Sequence, residues 1–241
     1  FREYESRWRS GGKLSKPAVF RKEWNGEPLA GKTLLVYGEQ GAGDTIQCLR
    51  YGPILKAMGC TLLLAPQAGL GALASRQGCW DGVVMDFPHR ITHGDVPAYD
   101  YQVPIMTLAR ILGTTLETIP ASPYLTPPAE PFHVEQGAFN IGFAWAGSLD
   151  HAHDLWRSMS LKDFEPLFAI PGTRWNSLQL GQRTLDLLGS EYPIVDLSPK
   201  LLTYDDTAAA IAAMDLIVTV DTSVVHLAGA LGKKTFLFTP F

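Results

Sequence analysis

The feature that most constrains this chain is an alternation. Short apolar runs, each ending in a turn of small or polar residues, take turns with stretches of helical spacing. In the first half, "KTLLVYG" (32–38), "CTLLLAP" (60–66), "GVVMDF" (82–87) and "YDYQVPI" (99–105) read as strands. Helical stretches are expected from about Asp44 to Met58, from about Gly69 to Gln77, and in "MTLARILG", which stops at Gly113. Apolar runs separated by helices specify parallel sheets covered by helices.

The segment "IPASPYLTPPAEPF" (119–132) then carries five prolines and no periodicity, which marks a linker. Beyond it the alternation restarts. "FNIGFAWAG", "TRWNSLQLG", "YPIVDLS", "DLIVTV" and "KTFLFTP" read as strands. "SLKDFEPLFAI", with Ser160 as its cap, "DDTAAAIAAM" and "TSVVHLAGALG", ended by Gly232, read as helices. The expected fold class is therefore α/β, as two open sheets joined by a proline-rich hinge. Residues 25–122 would form the first domain, 123–131 the linker and 132–241 the second domain. Residues 1–24, whose aromatic and charged residues recur at helical spacing, would be the tail of a preceding helical region. The chain begins without methionine and stops just after a strand-like run, so a fragment with an incomplete second domain is expected.

Composition narrows the function classes. Of the 241 residues, 46% are apolar, enough for two proper cores. The net charge of −4 is spread over both signs, without the basic stripe of a nucleic-acid-binding protein. Cys48, Cys60 and Cys79 are widely spaced, with no C-x-x-C pair, which argues against a disulfide framework or structural zinc. No apolar stretch reaches the ~20 residues of a bilayer crossing. A soluble cytoplasmic protein is expected.

Ligands of open α/β sheets bind outside the carboxyl ends of the strands. The polar clusters fall at such ends: Gly38–Asp44, Ala146–Arg157, Gln179–Gly181 and Asp221–His226. The first, "GEQGAGDT", has the spacing G-x-x-G-x-G and fails the dinucleotide fingerprint G-x-G-x-x-G. Against the P-loop pattern, Asp44 stands where the lysine should be, and a carboxylate there would repel a triphosphate. Gly38, Gly41 and Gly43 then frame a tight turn with room for a ligand. Asp44 at the helix start either takes a proton from a sugar hydroxyl as general base or caps the helix.

In the second half, a buried strand ends at Asp221 and a helix follows at once. Thr222, Ser223 and His226 share a face near its start, where hydroxyls, free N–H groups and an imidazole suit a diphosphate. The alternative is a capping Asp or Thr beside a satisfied histidine. In "WAGSLDHAHDLWRS", the His151, His153 and Asp154 spacing carries little metal signal, and no metal is expected. Arg157 suits an anion, since guanidinium pairs phosphate in a bidentate way. Trp145 reads as core or pocket wall. Gln179, beside Gly181, meets either a base or ribose, or its own backbone.

Taken together, "LAGKTLLVYGEQGAGDTIQCLRYGPIL", "GFAWAG", "RSMSL", "SLQLG" and "DDTAAAIAAMDLIVTVDTSVVHLAGALGKK" resemble glycosyltransferase family nine, the heptosyltransferase-like enzymes. The resemblance is greatest to the bacterial branch that follows tetratricopeptide repeats, and it runs from about Trp24 to the end. It implies the GT-B fold, two Rossmann-like domains facing across a cleft. It implies transfer of a sugar from a nucleotide diphosphate sugar to a glycan or protein hydroxyl, inverting, without metal or other cofactor. Asp44 would be the base, and Asp221, Thr222, Ser223 and His226 would surround the donor diphosphate. Arg157, Ser158, Gln179, Gly181 and the Trp145–Gly147 turn would help form the donor pocket, with Gly38, Gly41 and Gly43 on the acceptor side. Protein partners would bind through an upstream repeat region. Two departures from the family pattern stand out. His151-Ala-His153-Asp154-Leu-Trp156-Arg157-Ser158 replaces H-x-N-D-x-x-R-S, and "PIMTLARILGT" stands where P-L-x-S-L-P-x-x-x-G-T is usual. A non-catalytic scaffold and a sugar-nucleotide epimerase are the competing readings; no strand is followed by the G-x-G-x-x-G of a dehydrogenase.

Overall fold

The computed structural model describes residues 3–8, 21–84, 97–151 and 154–239. The chain divides into two compact units, Phe1–Leu125 and Thr126–Phe241, so the boundary lies inside the proline-rich segment. Part of that segment is packed rather than free. Leu125 is buried, the Tyr124 hydroxyl donates to the Ile46 carbonyl at 3.0 Å, and the Arg50 guanidinium lies over the Tyr124 ring.

Unit 1 runs β1 (Lys22–Glu23), β2 (Thr33–Tyr37), α1 (Ala42–Cys48), α2 (Gly52–Ala57), β3 (Thr61–Ala65), α3 (Gly71–Ser75), β4 (Gly82–Val83), β5 (Tyr101–Pro104) and α4 (Leu108–Ile111). Its strands are all parallel, in the order β1-β5-β2-β3-β4. Leu34, Leu35, Val36 and Tyr37 of the central strand are buried on both faces, as an all-parallel sheet requires. The helix expected over 44–58 is broken into α1, a 3₁₀ turn at Leu49–Tyr51 and α2. The break falls just before Pro53, which has no N–H to donate and restricts the residue before it. The end of "GVVMDF" lies outside the described residues.

Unit 2 runs β6 (Phe139–Ala144), α5 (Asp154–Arg157), α6 (Glu165–Phe168), β7 (Thr173–Ser177), β8 (Ile194–Asp196), α7 (Tyr204–Ala213), β9 (Leu216–Val220), α8 (Ser223–Ala230) and β10 (Thr235–Phe238). The order is β10-β9-β6-β7-β8, again all parallel. This repeats unit 1 strand for strand, with β1 holding the edge place that β10 holds here.

The two faces of β6 set the packing of unit 2. Ile141, Phe143 and Trp145 alternate onto one face, where they join Phe164, Phe168 and Trp175 in an aromatic core. Phe143 and Phe168 meet the Trp175 ring edge-on, with centroids 5.3 and 5.1 Å apart. On the other face Gly142 lets side chains close in: a Cβ there would lie 2.9 Å from Ile217 Cδ1 and 2.9 Å from Leu178 Cδ1.

Ser160 is the N-cap of the turn that opens "SLKDFEPLFAI", as expected, and Asp163 at N3 reaches back to it: its carboxylate accepts from the Ser160 N–H and hydroxyl, both at 2.8 Å.

In both units the chain reverses direction across the sheet beside its first central strand, between β2 and β5 and between β6 and β9. Such switch points leave a crevice at the carboxyl ends of the strands, where ligands of these sheets bind. The glycine turn follows β2. The Trp145–Gly147 turn and the Asp221–Ser223 turn follow β6 and β9.

Candidate functional site

In unit 2, the turns after β6, β7 and β9 are tied together by side chains. Gln179, just past β7, is buried. Its Oε1 accepts from the Trp145 and Ala146 N–H groups at 3.2 and 3.0 Å, and its Nε2 donates to the Ala146 and Leu180 carbonyls. This amide holds the Trp145–Ala146 turn. Trp145 is fully buried in the aromatic core, with its indole N–H donating to Asp186. Gly181 begins the next turn at φ +72°, a left-handed conformation that suits glycine.

Gly147 is next in that arrangement. Its N–H donates to the Ser158 hydroxyl at 2.9 Å, and that hydroxyl donates to Asp154 Oδ1 at 2.8 Å. Asp154 Oδ2 accepts from Arg183 Nη2 at 3.1 Å, while Arg157 Nε lies 3.6 Å from Oδ1. A Cβ on Gly147 would sit 2.5 Å from both Arg157 Nη2 and Asp154 Oδ1, so only glycine leaves room for this cluster. Asp154 is 4% exposed. Burial pushes its carboxyl up, but hydrogen bonds from Ser158 and Arg183 and the charges of both arginines outweigh burial and hold it below the usual aspartate value.

The Arg157 Nη1 donates to the Asp221 carbonyl at 3.0 Å, which fixes the guanidinium beside the start of α8. Thr222 is the N-cap of that helix; its hydroxyl accepts from the Val224 N–H at 3.3 Å. His226 Nε2 lies 3.9 Å from Asp221 Oδ1, with the imidazole about one-quarter exposed and Asp221 half-exposed. Ala228 and Ala230 are buried, whereas Gly229 faces open space. Asp221, Thr222, Ser223, His226, Arg157, Ser158 and the Trp145–Gly147 turn are thus brought to one switch point. Arg183 and its pairing with Asp154 were missed, because the two residues are distant in sequence. Among the described residues, no group of three His, Cys, Asp or Glu side chains is placed to hold a metal, and His153 lies outside them.

In unit 1 the glycine turn is pinned from several sides. The Gly38 N–H donates to the Ala65 carbonyl, and a Cβ on Gly38 would lie 2.6 Å from Gln67 Oε1 and 2.9 Å from Thr45 Oγ1. Gln67 Nε2 meets the carbonyls of Glu39, Gln40 and Gly41 at 3.0–3.2 Å. Gln40 takes a left-handed conformation at φ +58°. Asp44, in the first turn of α1, accepts from the Gly41 N–H through Oδ2 at 2.9 Å, so one carboxylate oxygen caps the helix. Glu39 is buried, and burial raises its carboxyl above the usual glutamate value despite the opposing hydrogen bonds and charge of Arg7.

Residues 177–240 match the profile of glycosyltransferase family 9 (heptosyltransferase). That stretch holds Gln179, Gly181 and the whole Asp221–His226 turn. Protein FlbA of Caulobacter vibrioides is 27% identical over 252 residues, which covers 90% of this chain and 41% of FlbA. The chain therefore spans about two-fifths of the length of that relative. Among solved structures, E. coli heptosyltransferase WaaC with ADP-2-deoxy-2-fluoro heptose has a TM-score of 0.56 at 12% identity, over 87% of this chain and 90% of that one. The iron-containing dodecameric glycosyltransferase TibC of enterotoxigenic E. coli has a TM-score of 0.61 at 12% identity, over 87% of this chain and 58% of that one. At such identities the likeness establishes the fold: two Rossmann-like α/β units of the GT-B class. No described helix is long and apolar enough to cross a membrane.

Proposed function

We propose that this chain is part of a glycosyltransferase that moves a sugar from a nucleotide diphosphate sugar to a hydroxyl of a glycan or protein. The single observation that carries the reading is the Arg157 guanidinium held by the Asp221 carbonyl at the start of α8. There a fixed cation meets the start of a helix that carries Ser223 and His226, which is the chemistry of a diphosphate site. The match of residues 177–240 to the family 9 profile and the ADP-sugar named for WaaC support the same reading.

In the proposed reaction the acceptor hydroxyl gives its proton to Asp44 while its oxygen bonds to the anomeric carbon. The bond from that carbon to the β-phosphate oxygen breaks, and the nucleoside diphosphate leaves with the electron pair. Its charge is met by Arg157 and the helix start in place of a metal, and attack opposite the leaving group inverts the anomeric centre. Protein partners bound through an upstream repeat region belong to the same proposal.

The test is a panel of nucleotide sugars with product detection. One donor should be turned over, and Asp44→Asn should abolish turnover while leaving donor binding intact; an Asp44→Asn variant as active as the parent would refute the base. One observation favours a second reading, a donor-binding module without catalysis: Asp44 Oδ2 is already bonded to the Gly41 N–H. That reading predicts donor binding with no turnover in the parent.

A further inference from the structure

The amino-terminal turn Glu3–Trp8, expected to belong to a preceding region, packs into unit 1. Arg7 leads it. Its Nε donates to Glu39 Oε2 at 3.0 Å and its Nη2 to Glu39 Oε1 at 2.9 Å, a bidentate pair with both side chains about 5–6% exposed. The Nη2 also donates to the Thr107 hydroxyl at 2.9 Å, and Nη1 donates to Glu5 Oε1 and the Tyr4 carbonyl. Glu39 belongs to the glycine turn after β2. Thr107 belongs to the 3₁₀ turn after β5, whose Met106 N–H also donates to Glu39, at 3.2 Å. Arg7 therefore bridges the two loops that flank the unit 1 switch point. The Tyr4 hydroxyl adds a bond to the Gln40 amide, at the left-handed residue of the turn.

A buried ion pair is weak support for stability, because desolvating two charges offsets much of their attraction. What a bidentate guanidinium–carboxylate pair supplies is geometry, two parallel bonds that fix both distance and angle. Here the fixed object is the backbone of Glu39–Gly41, with the Gln67 amide holding its carbonyls. Asp44 hangs from that backbone through the Gly41 N–H.

We infer that Arg7 is a positioning residue for Asp44: the amino-terminal turn clamps the glycine turn through Glu39 and so sets where the carboxylate stands. The inference rests on the base assigned above, yet the clamp itself is testable without turnover. Arg7→Met alone strands a buried carboxylate and can unfold the unit, so the informative variant is Arg7→Met with Glu39→Gln, which removes both charges.

Hydrogen exchange in the full chain reads the clamp directly. Amides of 38–44 should exchange about tenfold faster in the double variant, while those of β2 and β3 keep their parent rates. If the parent turns over a donor, kcat should fall on the order of 10–100-fold with the donor dissociation constant unchanged. Arg7→Lys, which keeps the charge but not the fork, should show the same split. A double variant with parent exchange over 38–44 overturns the inference whether or not any donor is turned over. Parent kcat in a variant with accelerated exchange overturns it too. Absence of turnover in the parent counts against the base alone and leaves the exchange result to decide the clamp.

Discussion

Replacing Gln179 with leucine removes the amide but keeps nearly the same volume. Four hydrogen bonds vanish, two accepted from Trp145 and Ala146 and two donated to Ala146 and Leu180. Leu180 is exposed, so its carbonyl regains water. Trp145 and Ala146 are buried, and their two N–H groups and one carbonyl lose partners where water does not reach. At about 1 kcal/mol for each such bond the variant should lose about 3 kcal/mol. With a urea slope of about 1–3 kcal/mol/M, the midpoint of the affected transition falls by roughly 1–3 M. Urea titrations followed by far-ultraviolet circular dichroism measure it. A midpoint within about 0.3 M of the parent would refute the claim that this amide holds the turn. The same change should weaken donor binding, because Gly147 presents its N–H to Ser158 from that turn.

Three further outcomes follow. Gly142→Ala forces a methyl against Ile217, Leu178 and Met214 at 2.9–3.0 Å, and should destabilise unit 2 by about 1–3 kcal/mol in the same titration. Asp154 has a lowered pKa, so its contribution is present above the unfolded aspartate value of about 3.9 and is lost as pH falls through the folded value. Urea midpoints from pH 7 to 3 should therefore fall more steeply for the parent than for Asp154→Asn, which should be the less stable of the two at pH 7. Gly38→Ala should displace Gln67, seen as faster amide exchange over 39–41 with the β2–β3 pairing intact.

The strands that matter were legible because a parallel sheet buries them on both faces. "TLLVY", "TLLLA" and "LIVTV" are mostly apolar runs. Strand β1 left no such mark: Lys22 and Glu23 are two charged residues at a sheet edge, and only their pairing with β5 makes them a strand. The polar turns were legible for a related reason, since residues at strand ends have no core to fill. Local spacing did not distinguish a residue that meets a ligand from one that holds a turn, and Gln179 and Thr222 hold turns. Nor did it show Arg7 bonded to Glu39 or Arg183 to Asp154, because those pairs are made by the topology.

The central claim is that the switch point of unit 2 binds the diphosphate of a sugar nucleotide through Arg157. Calorimetric titration of nucleoside diphosphates into the parent and into Arg157→Met tests it most directly. The account predicts that one nucleotide binds the parent and that the variant binds it about 10–100-fold more weakly, the loss of a charge-assisted hydrogen bond of about 1.5–3 kcal/mol. Equal affinity in parent and variant, or no binding of any nucleoside diphosphate, would contradict it.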